Sequence, residues 1–144
     1  MKVASILKAK GSGVSTTSPH TSIATVARLL RDQHIGALVV SEAGAGVLGI
    51  ITERDIVHGL ADRGSELLDM PVSFAMTRTP ATCTPDDDIQ TVMSRMTRQR
   101  VRHLPVVVDG RLEGIVSIGD VVKHRLDELE LETNVLRDAF LARQ

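Results

Sequence analysis

Hydrophobic side chains recur with helical spacing in two stretches of the chain, residues 22–33 and 88–100. The positions on the apolar side are Ile23, Val26, Leu29 and Leu30 in the first stretch and Ile89, Val92, Met93 and Met96 in the second. A proline precedes each stretch, and proline is well tolerated in the first turn of a helix. The pattern therefore predicts two amphipathic helices that start at Ser18-Pro19 and at Thr84-Pro85.

Short continuous apolar runs follow each predicted helix. They are the segments LVV (38–40), GII (49–51), LPVVV (104–108) and GIV (114–116). β-Branched residues are frequent in them, which is typical of strands covered by helices on one face. Asp109-Gly110 separates the last two runs, and this dipeptide favours a two-residue hairpin turn. Each predicted helix is thus followed by two predicted strands.

The two halves of the chain repeat each other. The residues that recur 66 positions later are Thr16, Pro19, Ile23, Thr25, Val26, Gln33, Leu38 and Val40. A shorter turn in the second half then reduces the interval to 65, and Gly49, Ile50, Asp55 and Val57 recur as Gly114, Ile115, Asp120 and Val122. Each half is predicted to contain a short strand, a helix, two strands and a second helix, preceded by a lead-in segment at residues 3–7 or 72–76.

The repeat divides the chain into four segments. Residues 1–62 are the predicted first repeat, 63–71 a connector, 72–125 the second repeat and 126–144 a C-terminal helical extension. An apolar stripe with steps of four and three residues runs into this extension, through Val122, Leu126, Leu129, Thr133, Leu136 and Phe140. Such a stripe on a charged helix favours a homodimer, and packing within the chain is the alternative.

Composition narrows the classes of function. The net charge of -1 and the presence of only two aromatic residues, Phe74 and Phe140, argue against a nucleic-acid partner. The single cysteine, Cys83, is typical of a reducing compartment, so a cytoplasmic location is expected. No secretory signal and no membrane span are predicted, because no apolar run approaches the roughly 20 residues that a span needs.

Other chemically reactive residues have simpler structural explanations. The five histidines are scattered without the spacing of metal ligands, so no metal site is predicted. The arginines between positions 95 and 102 follow a helix face and its end, which favours a solvated surface. The run Asp86-Asp87-Asp88 stands at a helix start, where carboxylates stabilise the helix dipole. Because no nucleophile and base can be paired, we predict no catalytic residues and no enzyme.

One motif ends the strands of both halves, as GIITERD at 49–55 and GIVSIGD at 114–120. The hydroxyl residue and the aspartate three positions later match a helix capping box, which is worth about 1 kcal/mol. The same geometry also suits a ligand site, because a helix start attracts polar oxygens and an acidic residue commonly binds the vicinal hydroxyls of ribose. Phosphate would then need cations, and Arg54, Arg102 and His103 are available.

With these motifs the chain resembles the CBS domain family from about Val3 to Arg125. The resemblance rests on the two motif endings, on the strands HIGALVV and VRHLPVV, and on the starts Thr16-x-x-Pro19 and Thr82-x-x-Pro85. It implies an α/β fold of two βαββα repeats packed about a pseudo-twofold axis, with a long C-terminal helix. It also implies two clefts that hold adenosyl ligands such as AMP, ADP, ATP, NAD or S-adenosylmethionine.

The resemblance assigns the two motif aspartates to ribose hydroxyls, the motif hydroxyl groups to ribose or phosphate oxygens, and backbone near 12–14 and 78–81 to adenine. The expected nucleotide-binding residues are Ser12, Gly13, Val14, Thr16, Ala37, Thr52, Arg54, Asp55, Arg78, Thr79, Ala81, Thr82, Arg102, His103, Ser117 and Asp120. Where the first motif has Glu53-Arg54, the second has Ile118-Gly119. One stronger and one weaker site are therefore expected.

The function predicted from this resemblance is regulatory. The module is expected to bind an adenine nucleotide between its repeats, without a catalytic cofactor, and to signal by conformational change to an unidentified effector protein. The alternative is a ligand-free dimerisation or scaffold module, in which Thr52 and Ser117 serve only as helix caps.

Overall fold

Two sheets and five α-helices make up the part of the chain that the computed structural model describes, residues 1–11, 13–43 and 46–143. In chain order the elements are α1 (Val3–Lys10), β1 (Thr16–Thr17), α2 (Ile23–Gln33), β2 (Ala37–Val40), β3 (Gly49–Thr52), α3 (Glu53–Arg63), β4 (Thr77–Arg78), α4 (Ile89–Gln99), β5 (His103–Val108), β6 (Arg111–Ser117) and α5 (Ile118–Ala142). Two 3-10 helices, Gly64–Asp69 and Val72–Phe74, lie between α3 and β4. The predicted order of strand, helix, two strands and helix occurs twice, although the short strand of the second half is a single bridge between Cys83 and Val106.

Helices α2 and α4 begin four residues after Pro19 and Pro85, so the predicted helix starts at these prolines are wrong. In the first half the amide of Thr21 donates to the carbonyl of Ser18 at 3.2 Å and closes a turn around the proline. The fixed φ of proline suits the second position of such a turn. Ser22 then caps α2 by accepting a hydrogen bond from an amide of the first helical turn.

Two of the three aspartates before α4, Asp87 and Asp88, occupy different positions in the turn and the helix cap. Asp87 accepts a hydrogen bond from the amide of Thr84 at 2.9 Å, which closes the turn that precedes the helix. Asp88 occupies the N-cap position, where its side chain makes no capping hydrogen bond. The predicted location of the aspartate run at a helix start is confirmed, and Asp87 also stabilises the turn before the helix.

The sheet of the first half has the strand order β1-β2-β3-β4. β1 runs parallel to β2, whereas the β2–β3 and β3–β4 pairs are antiparallel. β4 was not predicted, and it brings the chain that enters the second half against the motif strand β3. The second sheet is the hairpin of β5 and β6, joined at the predicted turn Asp109-Gly110, where φ values of 50° and 77° fit a type I′ turn.

The core of each half is completed by the segment that precedes the other half. Val3 and Ile6 of α1 are fully buried in the core of the second half, against residues such as Ile89 and Leu104. Val72, which precedes the second half along the chain, is fully buried in the core of the first half. The two lead-in segments are thus exchanged between the cores.

Equivalent backbone hydrogen bonds fix the two exchanged segments. The amides of Ile89 and Ile23, at the starts of α4 and α2, donate to the carbonyls of Met1 and Met70 at 3.0 and 2.9 Å. The first amides of a helix have no partner inside the helix. The residues at the start of each lead-in segment therefore supply a hydrogen-bond acceptor to the first amide of a helix in the opposite half.

The C-terminal tail is the predicted long helix. Only its first turns pack on the second core, through the buried Val121. Further along, Leu136 and Phe140 of the apolar stripe are 71% and 64% exposed. Among the helices of the described residues, none is both long and apolar enough to cross a membrane.

Gly49 allows a direct test of the β3–β4 pairing. A Cβ atom at this position would lie 2.7 Å from the backbone oxygen of Thr77, so a larger residue must displace β4. We expect Gly49→Ala to lower the free energy of unfolding by about 1–3 kcal/mol, measured by urea denaturation. Gly13→Ala is the control, because a Cβ there meets no atom within 4 Å, and its change should stay within about 0.5 kcal/mol. Equal losses in the two variants would contradict the close approach at Gly49.

Candidate functional site

The motif of the first half forms a complete capping box at the start of α3. The amide of Asp55 donates to Thr52 Oγ1 at 3.2 Å, and Asp55 Oδ2 accepts a hydrogen bond from the amide of Thr52 at 3.0 Å. The other carboxylate oxygen, Oδ1, accepts a hydrogen bond from Thr77 Oγ1 of β4 at 3.3 Å. The half-buried carboxylate is therefore held in one orientation at the end of β3.

The motif of the second half forms the same box at the start of α5. The amide of Asp120 donates to Ser117 Oγ at 3.1 Å, and Asp120 Oδ2 accepts from the amide of Ser117 at 2.9 Å. The structural interpretation of both motifs is thus confirmed. The two aspartates differ in their further contacts.

A cleft of about 250 Å³ opens in front of Asp55, between the two halves, and is called the first cleft. The predicted site residues that line it are Thr52, Arg54, Asp55, Ala81, Arg102 and His103. Pro80 lies within the segment 78–81 that was expected to contribute backbone. The lining residues that were not predicted are Gly36, Ile50, Glu53, Thr77, Arg100 and Val101. Residues of both halves therefore meet in one cavity.

One signal could have found one of the missed residues. Gly36 lies 66 positions before Arg102, so carrying the assignment of Arg102 across the repeat indicates it. Thr77 and Pro80 enter the cleft because β4 pairs with β3. A strand of two residues leaves no periodic signal in the sequence.

The first cleft combines apolar, acidic and cationic surfaces. Ile50 and Pro80 contribute apolar surface, and Asp55 contributes a carboxylate. Arg54 donates from Nη1 to the carbonyl oxygen of Arg100 at 3.1 Å, which fixes its guanidinium across the boundary of the two halves. Such a cleft can accept hydroxyl groups, a flat apolar group and an anionic group of one ligand.

The cationic surface extends beyond the first cleft. An adjoining groove of about 350 Å³ is lined by Arg54, Arg100 and Arg102, together with Ile118 at the start of α5. The same three arginines thus line both spaces.

His103 lies between the two motifs. A Cβ atom on Gly36 would come within 3.2 Å of both Cε1 and Nε2 of its ring, so the ring packs closely on that backbone. Burial lowers the pKa of His103, the carboxylates of Glu53 and Asp120 oppose this effect, and Lys10 adds to it. The net pKa lies below the ordinary value of 6.5, so the imidazole is neutral at neutral pH.

The second cleft implied by the resemblance is expected at Asp120, and we keep the name second cleft for the region around this residue. It contains a cation that was not predicted. Lys10, the last residue of α1, donates from Nζ to Asp120 Oδ2 at 2.8 Å and to the carbonyl oxygen of Ile115 at 3.0 Å. Burial raises the pKa of Asp120, but hydrogen bonds from Lys10 and Ser117 and the charge of Lys10 outweigh it. The pKa therefore lies below its ordinary value of 3.8.

The other predicted residues do not line the first cleft. Ser117 and Asp120 belong to the second motif, Gly13 and Val14 follow α1, Thr16 is in β1, Ala37 begins β2, and Arg78 and Thr79 lie in or directly after β4. The carbonyl of Thr82 accepts a hydrogen bond from Arg95 at 2.7 Å. Ser12 lies outside the described residues.

The single cysteine, Cys83, is buried in the core of the second half. Burial raises the pKa of Cys83 to about 12, with a further contribution from Asp87, so the thiol stays protonated and unreactive. Within residues 1–11, 13–43 and 46–143, no group of three potential metal ligands occurs.

The repeated α/β unit and the cleft between its copies define a class of paired-repeat modules. The family model described as "CBS domain" matches residues 12–62 and 71–127. The chain belongs to the CBS domain family. Proteins of this family are typically regulatory rather than catalytic, and no catalytic family is indicated.

Solved structures support the same assignment. The CBS-domain containing protein ATU1752 from Agrobacterium tumefaciens is 45% identical, with 87% of this chain and 99% of that chain covered and a TM-score of 0.83. PAE2072 from Pyrobaculum aerophilum, complexed with AMP, is 29% identical over 92% of this chain and 99% of that chain, with a TM-score of 0.77. The CBS domain pair of protein MJ0100, in complex with 5-methylthioadenosine and S-adenosyl-L-methionine, is 26% identical over 89% and 98%, with a TM-score of 0.78. These similarities confirm two repeats packed about a pseudo-twofold axis.

The neutral state of His103 predicts a pH dependence of stability. Because its folded pKa is lowered, the unfolded chain binds more protons below pH 6.5, and stability that is present above pH 6.5 is lost as the pH falls. His103→Gln removes this titration. Urea denaturation above and below pH 6.5 should show a smaller loss in the variant than in the wild type. An equal loss in both proteins would show that His103 does not contribute.

Proposed function

We propose that this chain is a regulatory module that binds an adenine nucleotide in its first cleft and changes conformation in response. The observation that carries the proposal is the Asp55 carboxylate, held by its cap in a cleft that Arg54 and Arg102 also line. An acidic residue at the end of a strand commonly binds the vicinal hydroxyls of ribose in nucleotide sites.

Two similar proteins support a ligand that contains adenosine. PAE2072 is complexed with AMP, and the MJ0100 domain pair is complexed with 5-methylthioadenosine and S-adenosyl-L-methionine. Adenosine is the part that these ligands have in common. We infer that AMP, ADP, ATP or NAD is the ligand of this chain, since each of them also carries adenosine.

The expected roles follow the chemistry of the first cleft. Asp55 accepts hydrogen bonds from the ribose hydroxyls, and Thr52 contacts a ribose or phosphate oxygen. The adenine ring lies on the apolar surface of Ile50, Pro80 and Ala81, where its edge can bond to nearby backbone.

The cations of the cleft favour a phosphorylated ligand. A guanidinium pairs with phosphate through two hydrogen bonds, and both Arg54 and Arg102 line the cavity. His103 lies in the same lining and can donate a further hydrogen bond in its neutral form. A nucleotide should therefore bind more tightly than the corresponding nucleoside.

The location of the cleft suggests how a ligand acts on the module. Asp55 belongs to the first half and Arg102 to the second, so one ligand that contacts both changes how the halves pack. A ligand shifts a conformational equilibrium only by its different affinity for the two states. In this proposal the shift is transmitted to an effector protein that binds one state.

The alternative function is a scaffold that binds no ligand. The observation in its favour is that both capping boxes are complete without one, since all their hydrogen bonds lie within the chain. In that case Asp55 and Asp120 act only on the stability of α3 and α5.

Thermal-shift measurements with AMP, ATP, NAD and S-adenosylmethionine test the proposal. A ligand at 100 times its Kd should stabilise the folded wild-type protein by about 2.7 kcal/mol and raise its Tm. Asp55→Asn should abolish most of the shift, because it removes the charge that receives the ribose hydroxyls. Asp120→Asn is the matched control and should keep the shift.

Two results would contradict the nucleotide proposal. The absence of a shift with all four ligands would favour the scaffold function. A shift that is equal in the wild type and in Asp55→Asn would mean that the ligand binds elsewhere on the protein.

We also propose a homodimer formed through α5. The apolar stripe of this helix, Val122, Leu126, Leu129, Thr133, Leu136 and Phe140, is exposed along its whole length. A stripe with alternating steps of four and three residues matches the seam along which two helices of a coiled coil meet. A second copy of α5 therefore has the matching pattern to cover it.

Light scattering tests the dimer. The wild type should show twice the mass of one chain, and Leu136→Glu should show one chain mass, because it places a charge within the seam. Asn134→Glu is the matched control, since it adds the same side chain away from the stripe, and it should remain dimeric. A monomeric wild type would refute the dimer.

A further inference from the structure

Lys10 occupies the second cleft with its own positive charge. Its Nζ atom is 2.8 Å from Asp120 Oδ2 and 3.0 Å from the carbonyl oxygen of Ile115. Ile115 is the repeat counterpart of Ile50, which lines the first cleft. The ammonium group thus bonds to the counterpart of a residue that lines the first cleft.

The length of the lead-in segment explains why only one half has such a cation. Leu7 packs on Gly114 in the same way that Met76 packs on Gly49, so Leu7 and Met76 are counterparts. From Leu7 to the repeated Thr16 there are nine positions, but from Met76 to Thr82 there are six. The three extra residues continue α1 by almost one turn and place Lys10 on Asp120.

The contact is held in place by the exchanged lead-in segment. Val3 and Ile6 anchor α1 in the core of the second half, so Lys10 is delivered from a fixed helix. A tethered group competes with a free ligand at a high effective concentration. Ammonium and ribose hydroxyls are both hydrogen-bond donors, and they compete for the same carboxylate.

The arginines that favour phosphate in the first cleft have no basic counterpart in the repeat. Arg54 and Arg102 correspond to Gly119 and Gly36. A nucleotide that displaced Lys10 would therefore meet no arginine at either of these two counterpart positions.

We propose that Lys10 is the residue that determines ligand specificity in the second cleft, because its ammonium group bonds to Oδ2 of Asp120 and excludes the ribose of a nucleoside. This inference rests on the proposed function of the first cleft. On this inference the module binds one nucleotide per pair of repeats. The charge of Asp120 in the second motif is neutralised by Lys10 of α1.

Adenosine is the appropriate probe, since it carries the ribose hydroxyls but no phosphate that Lys10 could bind. The background is Asp55→Asn, in which binding to the first cleft is removed. Adding Lys10→Met keeps the length of the side chain but removes its charge. We expect isothermal titration calorimetry to show adenosine binding at least about tenfold tighter in Asp55→Asn/Lys10→Met than in Asp55→Asn.

Two further variants locate the effect. Lys8→Met removes the same charge from an exposed position of α1 and should produce no gain in the Asp55→Asn background. Adding Asp120→Asn to Asp55→Asn/Lys10→Met should abolish the gain. Lys10→Gln is a second uncharged variant if Lys10→Met does not fold, and circular dichroism checks the fold of each protein.

The outcomes separate this inference from the proposed function. The role of Lys10 is overturned if neither uncharged Lys10 variant binds adenosine more tightly, or if the tighter binding persists after Asp120→Asn is added. In either case, binding of AMP by the wild type would still support the proposed function of the first cleft. If the wild type and the Lys10 variants bind neither AMP nor adenosine, both proposals are overturned.

Discussion

The exchange of the lead-in segments is the constraint on which the rest of the structure depends. The helices α2 and α4 begin on carbonyl groups supplied by Met70 and Met1, and each core contains apolar residues from the segment that precedes the other half. Neither half can close its core from consecutive residues alone. The chain must therefore cross between the halves twice, and these crossings carry polar and charged residues past the two motif aspartates.

The two motifs show how one set of atoms can serve stability and binding. A capping box fixes the aspartate backbone and one carboxylate oxygen at a helix start, which already stabilises the fold. The ligand role that we propose for Asp55 needs no different conformation, because its cap leaves the carboxylate in the lining of the first cleft. The crossing segments then distinguish the motifs, since β4 brings a hydroxyl group to Asp55 and α1 brings an ammonium group to Asp120.

Much of the fold could be predicted from the sequence because its signals are local. The apolar periodicity indicated α2 and α4, and Asp109-Gly110 indicated the hairpin of β5 and β6. The helix starts were misplaced because proline fits a β-turn as well as the first turn of a helix. Hydrogen bonds from Ile23 and Ile89 to distant segments decide between these possibilities, and such partners leave no local pattern.

The candidate site was less predictable than the fold. The motif residues Thr52 and Asp55 could be identified from the repeat, and so could Arg102 and His103, which lie directly before and at the start of β5. Lys10 could not, because its partner is 110 positions away and a lysine at the end of a helix has an ordinary explanation in the helix dipole. The roles of the residues around both clefts depend on ligand binding and remain predictions.

The exchanged segments also have a consequence for the origin of the molecule. A protein with a single repeat would have to take its lead-in segment from a second copy, so its simplest complete form is a domain-swapped pair of identical chains. Gene duplication and fusion would place both copies on one polypeptide and turn that intermolecular swap into an intramolecular one. The two halves could then diverge, because an insertion such as the extra residues of α1 gives one motif aspartate a contact that the other does not share.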